Sequence, residues 1–156
     1  NAEEIGLVGY KALSENQNLS PVFDNIKALF NFEMLATESQ FGKNAVFMTG
    51  DEFSDFDELI NASAVNGLKV YPDPYQGQQL FYRSDNVNFV KKKIVAHSIS
   101  TVDMNKAMHY HAVNDDINIV DADNLTNIIN NFAKTIEKLN TKNFQPKYND
   151  KVKYDF

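Results

Sequence analysis

The 156-residue sequence predicts an α/β layered fold, and three observations carry that expectation. Short apolar segments of strand character alternate with amphipathic stretches of helical period, the order that lays helices onto a sheet. Ile26 to Leu35 reads as a strand covered on both faces, its apolar run broken after Lys27 only by Asn31 and Glu33. Near the C-terminus, Leu125, Ile128, Ile129, Phe132, Ala133, Ile136 and Leu139 recur at three- and four-residue steps, one apolar stripe along a long helix.

Taken in order, Ile5, Leu7, Val8, Ala12 and Leu13 suit an amphipathic helix to about Asn16, followed by a polar turn to Pro21. The strand from Ile26 gives way to a polar loop with Gly42, then to a second strand from Ala45 to Thr49. Ser54 suits an N-cap, with Asp55, Asp57 and Glu58 favourably placed in the first turn of a helix that ends before Asn66-Gly67. Leu68 to Tyr71 is a short strand closed by Pro72-Asp73-Pro74, which can continue neither a ladder nor a helix. Ser84 or Asp85 is placed to cap a helix through Lys92, and Ile94 to Ile99 forms a further strand. A loop follows to His111 and Asp115, and Asp121 or Asp123 caps the last helix, Leu125 to Leu139. Residues 1–140 read as one domain portion and 141–156 as a peripheral tail, packed at the edge or frayed.

Composition narrows the function classes. Hydrophobic residues make up 43% and charged residues 23%, ordinary for a globular domain with a real core. A net charge of −6 argues against nucleic acid and anionic membranes as partners. No apolar run approaches the roughly 20 residues that span a bilayer. The absence of cysteine excludes thiolate zinc sites, disulfides and cysteine nucleophiles, and is compatible with export. Beginning at Asn1 rather than Met, the chain is expected to be processed, shortened or expressed as a piece. Scattered glycines form no phosphate loop, and Ser84-Asp85 has neither a local histidine nor a nucleophile elbow.

Carboxylates and histidines supply the chemistry. Glu3-Glu4, followed at once by Ile5-Gly6-Leu7-Val8-Gly9, look like a pair carried at a strand-to-helix turn, where one acid can bind a metal and the other move protons. Adjacent acids are also common on solvated surfaces. Glu33 costs several kcal/mol inside an apolar strand unless it is paired, metal-bound or at the strand's exposed end. In an extended segment His109 and His111 point the same way, so either can be a ligand, and Asp115 is close enough to orient an imidazole. His97, within a strand, reads as structural.

The order of motifs then becomes specific. Glu3-Glu4-Ile5-Gly6-Leu7-Val8-Gly9, Phe32-Glu33-Met34, Tyr82-Arg83-Ser84-Asp85-Asn86 and Tyr110-His111-Ala112-Val113-Asn114-Asp115 together resemble the co-catalytic zinc aminopeptidases of the bacterial leucyl aminopeptidase and aminopeptidase Y type. The resemblance, from about residue 2 to residue 140, implies a three-layer α/β/α sandwich with a mixed, mostly parallel sheet. It implies Glu3 as the general base acting on the attacking water, Glu4, Glu33 and His111 as metal ligands, and Asp115, Arg83, Asp85 and Tyr110 beside them or on the substrate side. Two zinc ions about 3.5–4 Å apart would serve a peptide substrate. Oxygen and imidazole ligands equally admit cobalt or manganese. Ala2 stands where the family has Gly, Tyr10 where it has Ser, Asn86 where it has His, and Ala112-Val113 where it has Thr-Pro. The family's first zinc histidine and two aspartates lie upstream of the Glu-Glu pair. The chain is therefore expected to be the C-terminal half of such a domain, the N-terminal part missing, and inactive alone. Periplasmic or secreted location follows from the resemblance. The same fold also serves non-catalytic modules that lost their metals and the glutaminyl-cyclase acyltransferases.

Overall fold

The computed structural model describes residues 4–140 and 143–156. Four strands, β1 (Leu29–Phe32), β2 (Ala45–Met48), β3 (Lys69–Pro72) and β4 (Ala96–Ser100), form one sheet in the order β1-β4-β2-β3. β1 runs parallel to β4 and β2 parallel to β3, while β2 and β4 are antiparallel. The sheet is thus mixed and mostly parallel, as expected.

Helices cover both faces. On one, α3 (Phe56–Ser63) and α5 (Ala122–Leu139) bury Phe56, Ile60, Ile128 and Phe132 against Val46, Met48, Val70 and Ile99 of the sheet. On the other, α1 (Val8–Glu15), α2 (Ser20–Phe23) and α4 (Val87–Val90) bring Tyr10, Phe23, Phe89 and Val90 to Leu29 and Ala96. This is an α/β sandwich. Its layers follow from alternation along the strands: Val46 and Met48 face one helical layer while Phe47 joins Tyr75 and Val102 on the opposite side. Gly50, directly after β2, has φ 68°, and a Cβ there would lie 2.4 Å from the Phe81 ring, so only glycine fits.

Several expectations are corrected. The strand predicted over Ile26 to Leu35 and buried on both faces is only four residues long and lies at the sheet's edge, leaving Phe32 41% exposed. A two-sided apolar pattern cannot by itself distinguish a central strand from an edge strand lying under a helix. The polar turn after α1 coils again, through a 3₁₀ turn at Gln17–Leu19 and then α2, whose Pro21 occupies a first-turn position that lacks an N–H partner anyway. Neither Ser84 nor Asp85 caps α4: Asn86 takes the cap position and makes no side-chain cap bond. Asp121 does cap α5, accepting from the Asn124 N–H at 3.0 Å.

Of the C-terminal segment, residues 148–152 are tied to the sheet and the α4 layer. Tyr148 Oη accepts from the Ala96 N–H at 2.8 Å and donates to the Ala96 carbonyl at 3.2 Å. The Asn149 N–H reaches the Phe53 carbonyl at 2.8 Å, and Val152 is buried in the α4 layer. Alternating Lys, Tyr and Asp conceal this anchorage in the sequence because the tyrosine bonds main chain already committed to a strand. Among the described residues no helix is long and apolar enough to cross a membrane.

Candidate active site

Glu33 leaves the sheet immediately after β1, and Met34 turns the chain sharply with φ 48°. The carboxylate therefore sits, half-buried, at the strand's end rather than inside it. Asn31 precedes it by two residues on the same strand face. Its Nδ2 donates to Glu33 Oε1 at 2.6 Å and lies 2.9 Å from Ser84 Oγ and 2.8 Å from Ser98 Oγ. Ser98 is the register partner of Asn31 across the β1–β4 ladder, which explains the last contact. Ser84 Oγ also donates to Glu33 Oε1. Ser98 Oγ lies 3.0 Å from Ser84 Oγ and 3.1 Å from Asn86 Oδ1. Asn86 is wholly buried and donates to the carbonyls of Phe81 at 3.0 Å and Ala96 at 3.2 Å.

The direction of this relay matters. An ionised carboxylate only accepts, so the Ser84 hydroxyl hydrogen is committed to Glu33 and its oxygen can receive only from Asn31 or Ser98. Donors thus converge on Glu33 Oε1, and among the described residues none is seen on Oε2. Such bonds fix the carboxylate's orientation.

A cavity of about 380 Å³ opens beside it, lined by Glu4, Glu33, Asp85, Tyr110, His111 and Asp115 among others. His111 Nε2 lies 3.3 Å from Glu4 Oε1, both side chains more than half exposed. His111 has φ 55°, and the Tyr110 ring stacks on its imidazole at 4.0 Å between centroids. Asp85 is only 7% exposed, and its Oδ1 has no hydrogen-bond partner among the described residues. Burial first, then the neighbouring Glu33 charge, pushes its carboxyl above the ordinary carboxylate range. A smaller adjoining pocket of about 90 Å³ shares Glu33, Met34 and Tyr110 with this cavity and adds an apolar wall of Phe47, Leu80, Val102 and Met104.

The predicted site residues sort as follows. Glu4, Glu33, His111, Asp85, Tyr110 and Asp115 share one cavity although 111 positions separate the first from the last. Arg83 lines the smaller pocket, its guanidinium donating to the Gln78 carbonyl at 3.3 Å. Glu3 lies outside the described residues. His109 and His111 do not point together, because their segment is a series of turns rather than extended chain, and His109 faces a separate cavity with Asp103 and Lys106. Asp115 lines the same cavity as His111, and among the described residues no hydrogen bond joins the two. His97 is structural, as expected. Its Nδ1 donates to the Thr49 carbonyl at 2.8 Å, so its Nε2 accepts from Ser54 Oγ at 2.8 Å. Burial lowers its pKa to about 4.

The relay residues Asn31, Ser98 and Asn86 are what sequence reasoning missed. Their one visible signal is the two-residue spacing of Asn31 and Glu33, which places two polar groups on one face of an apolar strand.

Carboxylate and imidazole donors around one anionic cavity, with the buried Asp85 oxygen unmatched, have the chemistry of a zinc site. Among the described residues, however, no three of them converge closely enough to hold an ion. The donor types fit zinc, and closing the site takes further ligands.

Comparison with known proteins agrees with this architecture. The family model described as Peptidase family M28 matches residues 1–136. A LapA aminopeptidase structure from Legionella pneumophila is 18% identical at a TM-score of 0.66, over 88% of this chain and 37% of that one. The aminopeptidase from Aneurinibacillus sp. strain AM-1 is 19% identical at a TM-score of 0.64, over 97% of this chain and 33% of that one. These likenesses speak to the fold. Among curated protein sequences none matches at a significant level. The chain spans little more than a third of the length of the solved structures it matches. With a family match over residues 1–136, the chain belongs to peptidase family M28, and its sandwich is similar in fold to part of those two structures.

Proposed function

We propose that this chain contributes to a zinc-dependent aminopeptidase that releases N-terminal residues from peptides. The observation that supports the reading is that Glu4, Glu33 and His111 line one cavity, with Glu33 already oriented by its own hydrogen bonds. Those three residues would hold zinc. When bound, the metal supplies Lewis acidity toward the scissile carbonyl. The chain's own groups do the rest. Glu3 is the general base in this reading: it takes a proton from the attacking water and returns it to the leaving amine, so that water is added across the broken C–N bond. The apolar pocket beside Glu33 is suited to receive the first side chain. The remaining ligands come from polypeptide beyond these 156 residues, and the location is periplasmic or secreted.

The test compares this 156-residue chain with the complete protein from its native source. Zinc titration calorimetry should show weak or no binding to the chain alone and two tight sites in the complete protein. The complete protein should then release leucine from leucine p-nitroanilide. Two zinc ions held tightly by the isolated chain would overturn the expectation of an incomplete site. Pyroglutamate formation without amino-acid release would favour the cyclase chemistry instead.

A further inference from the structure

Between β4 and His111 the chain runs as a series of turns, and a buried phenol grips it near its start. The Tyr75 hydroxyl donates to Asp103 Oδ1 at 3.2 Å and accepts from the Met104 N–H at 3.0 Å and from Gln40 Nε2 at 3.4 Å. Its one donor and both acceptor positions are thereby used. The ring is 6% exposed and meets Phe47 of β2 edge-on at 5.5 Å. Among the described residues, every other hydrogen bond made by Met104 to Tyr110 stays within the loop, as from the Lys106 N–H to the Asp103 carbonyl at 2.9 Å and from the Tyr110 N–H to the Ala107 carbonyl at 3.0 Å. The turn that carries Tyr75 is stiff on its own account. Pro72 and Pro74 fix its backbone, the Tyr75 N–H donates to Asp73 Oδ1 at 2.7 Å, and the Asp73 N–H donates to Asp51 Oδ1 at 2.9 Å. A clamp with a fixed base thus holds a loop that is otherwise bonded to itself.

We infer that Tyr75 is a positioning residue: its hydroxyl holds the Asp103–Met104 turn at the root of the loop that carries Tyr110 and His111, and so fixes the apolar wall of the pocket beside Glu33. The inference rests on the aminopeptidase reading above, in which that pocket receives the first side chain. Phe47, Leu80, Val102 and Met104 share one apolar cluster with Tyr75; those four line the pocket, and Tyr75 stands behind them. Without the hydroxyl, the Met104 N–H and the Asp103 carboxylate each lose a partner while the ring stays seated on Phe47. Packing alone is non-directional and tolerates a shift of the loop that a hydrogen bond of fixed geometry resists. A wall free to retreat loses contact with a large side chain and leaves a small one, which never reaches it, unaffected. Tyr75 therefore acts through the loop and not on the substrate.

The experiment compares the complete zinc-loaded protein with its Tyr75→Phe variant, which keeps the ring and deletes the hydroxyl. The ratio of kcat/KM for leucine p-nitroanilide to that for alanine p-nitroanilide should fall at least about fivefold, through leucine alone. Hydrogen exchange should quicken at least about tenfold at the Met104 amide and stay unchanged at the β2 amides. A merely structural role lowers both substrates alike and leaves their ratio in place. Thermal melting checks that the variant is folded. Should it not be, Asp103→Ala removes the acceptor of the same hydroxyl without entering the core, and should move the ratio in the same direction. A ratio unchanged in whichever variant folds overturns the assignment while leaving the aminopeptidase reading intact. A wild-type protein that cleaves neither amide removes that reading and the positioning role with it.

Discussion

His97 and Asp85 both expose little surface to solvent and are built in opposite ways. His97, wholly enclosed, has both ring nitrogens matched, one by the Thr49 carbonyl and one by the Ser54 hydroxyl, and its faces meet Phe56, Phe81 and Tyr148. Asp85 keeps an oxygen without a partner among the described residues, beside a cavity lined by further carboxylates. The difference separates a polar group that specifies a core from one that waits for a ligand. Burial alone does not distinguish them; the state of their hydrogen-bond valences does.

The largest effect should come from the satisfied side. His97→Ala removes two buried hydrogen bonds and a ring packed among three aromatic side chains, and should lower the unfolding free energy by about 3–5 kcal/mol in urea titrations. A loss under about 1 kcal/mol would place His97 outside the stabilising core and break the comparison. The same residue sets an acid limit. Its folded pKa is about 4 against an ordinary 6.5, so between those values the unfolded chain binds the extra proton. Stability due to the neutral imidazole is intact above pH 6.5 and drains away as pH falls toward 4, by about 3 kcal/mol. Urea midpoints of the wild type and His97→Gln, followed from pH 7 to pH 4.5, should converge as the pH drops. Parallel curves would show that the carboxylates, not His97, govern acid sensitivity.

The smallest stability effect belongs to the open side. Glu33→Gln keeps an acceptor for Asn31 and Ser84 and removes the charge facing Asp85, so the unfolding free energy should change by less than about 1 kcal/mol. In the complete protein the same variant should lose at least about tenfold in zinc affinity by calorimetry. A change in stability alone would make Glu33 a second His97.

Much of this was legible in advance, for reasons that differ by residue. The α5 stripe and its Asp121 cap could be read because helix period and capping are local properties. Glu33 could be singled out because a carboxylate in an apolar run conflicts with its surroundings. Its meeting with His111 rests on the order of motifs, since nothing local to either segment places them in one cavity. The relay through Asn31, Ser98, Ser84 and Asn86 was not legible, because it depends on which strands are neighbours: Asn31 faces Ser98 only through the β1–β4 register. Edge position was hidden likewise, since sequence pattern reports burial of a face and not occupancy of a hydrogen-bonding edge.

The Tyr148 bridge to Ala96 has a consequence for biosynthesis. Ala96 leaves the ribosome 52 residues ahead of the tyrosine whose hydroxyl closes its main-chain N–H and carbonyl. At about 5–20 residues per second, β4 exists for roughly 3–10 s with that part of its edge open to any other strand nearby. Translation speed between Ala96 and Tyr148 therefore governs how long a nascent chain offers that edge to its neighbours on a polysome.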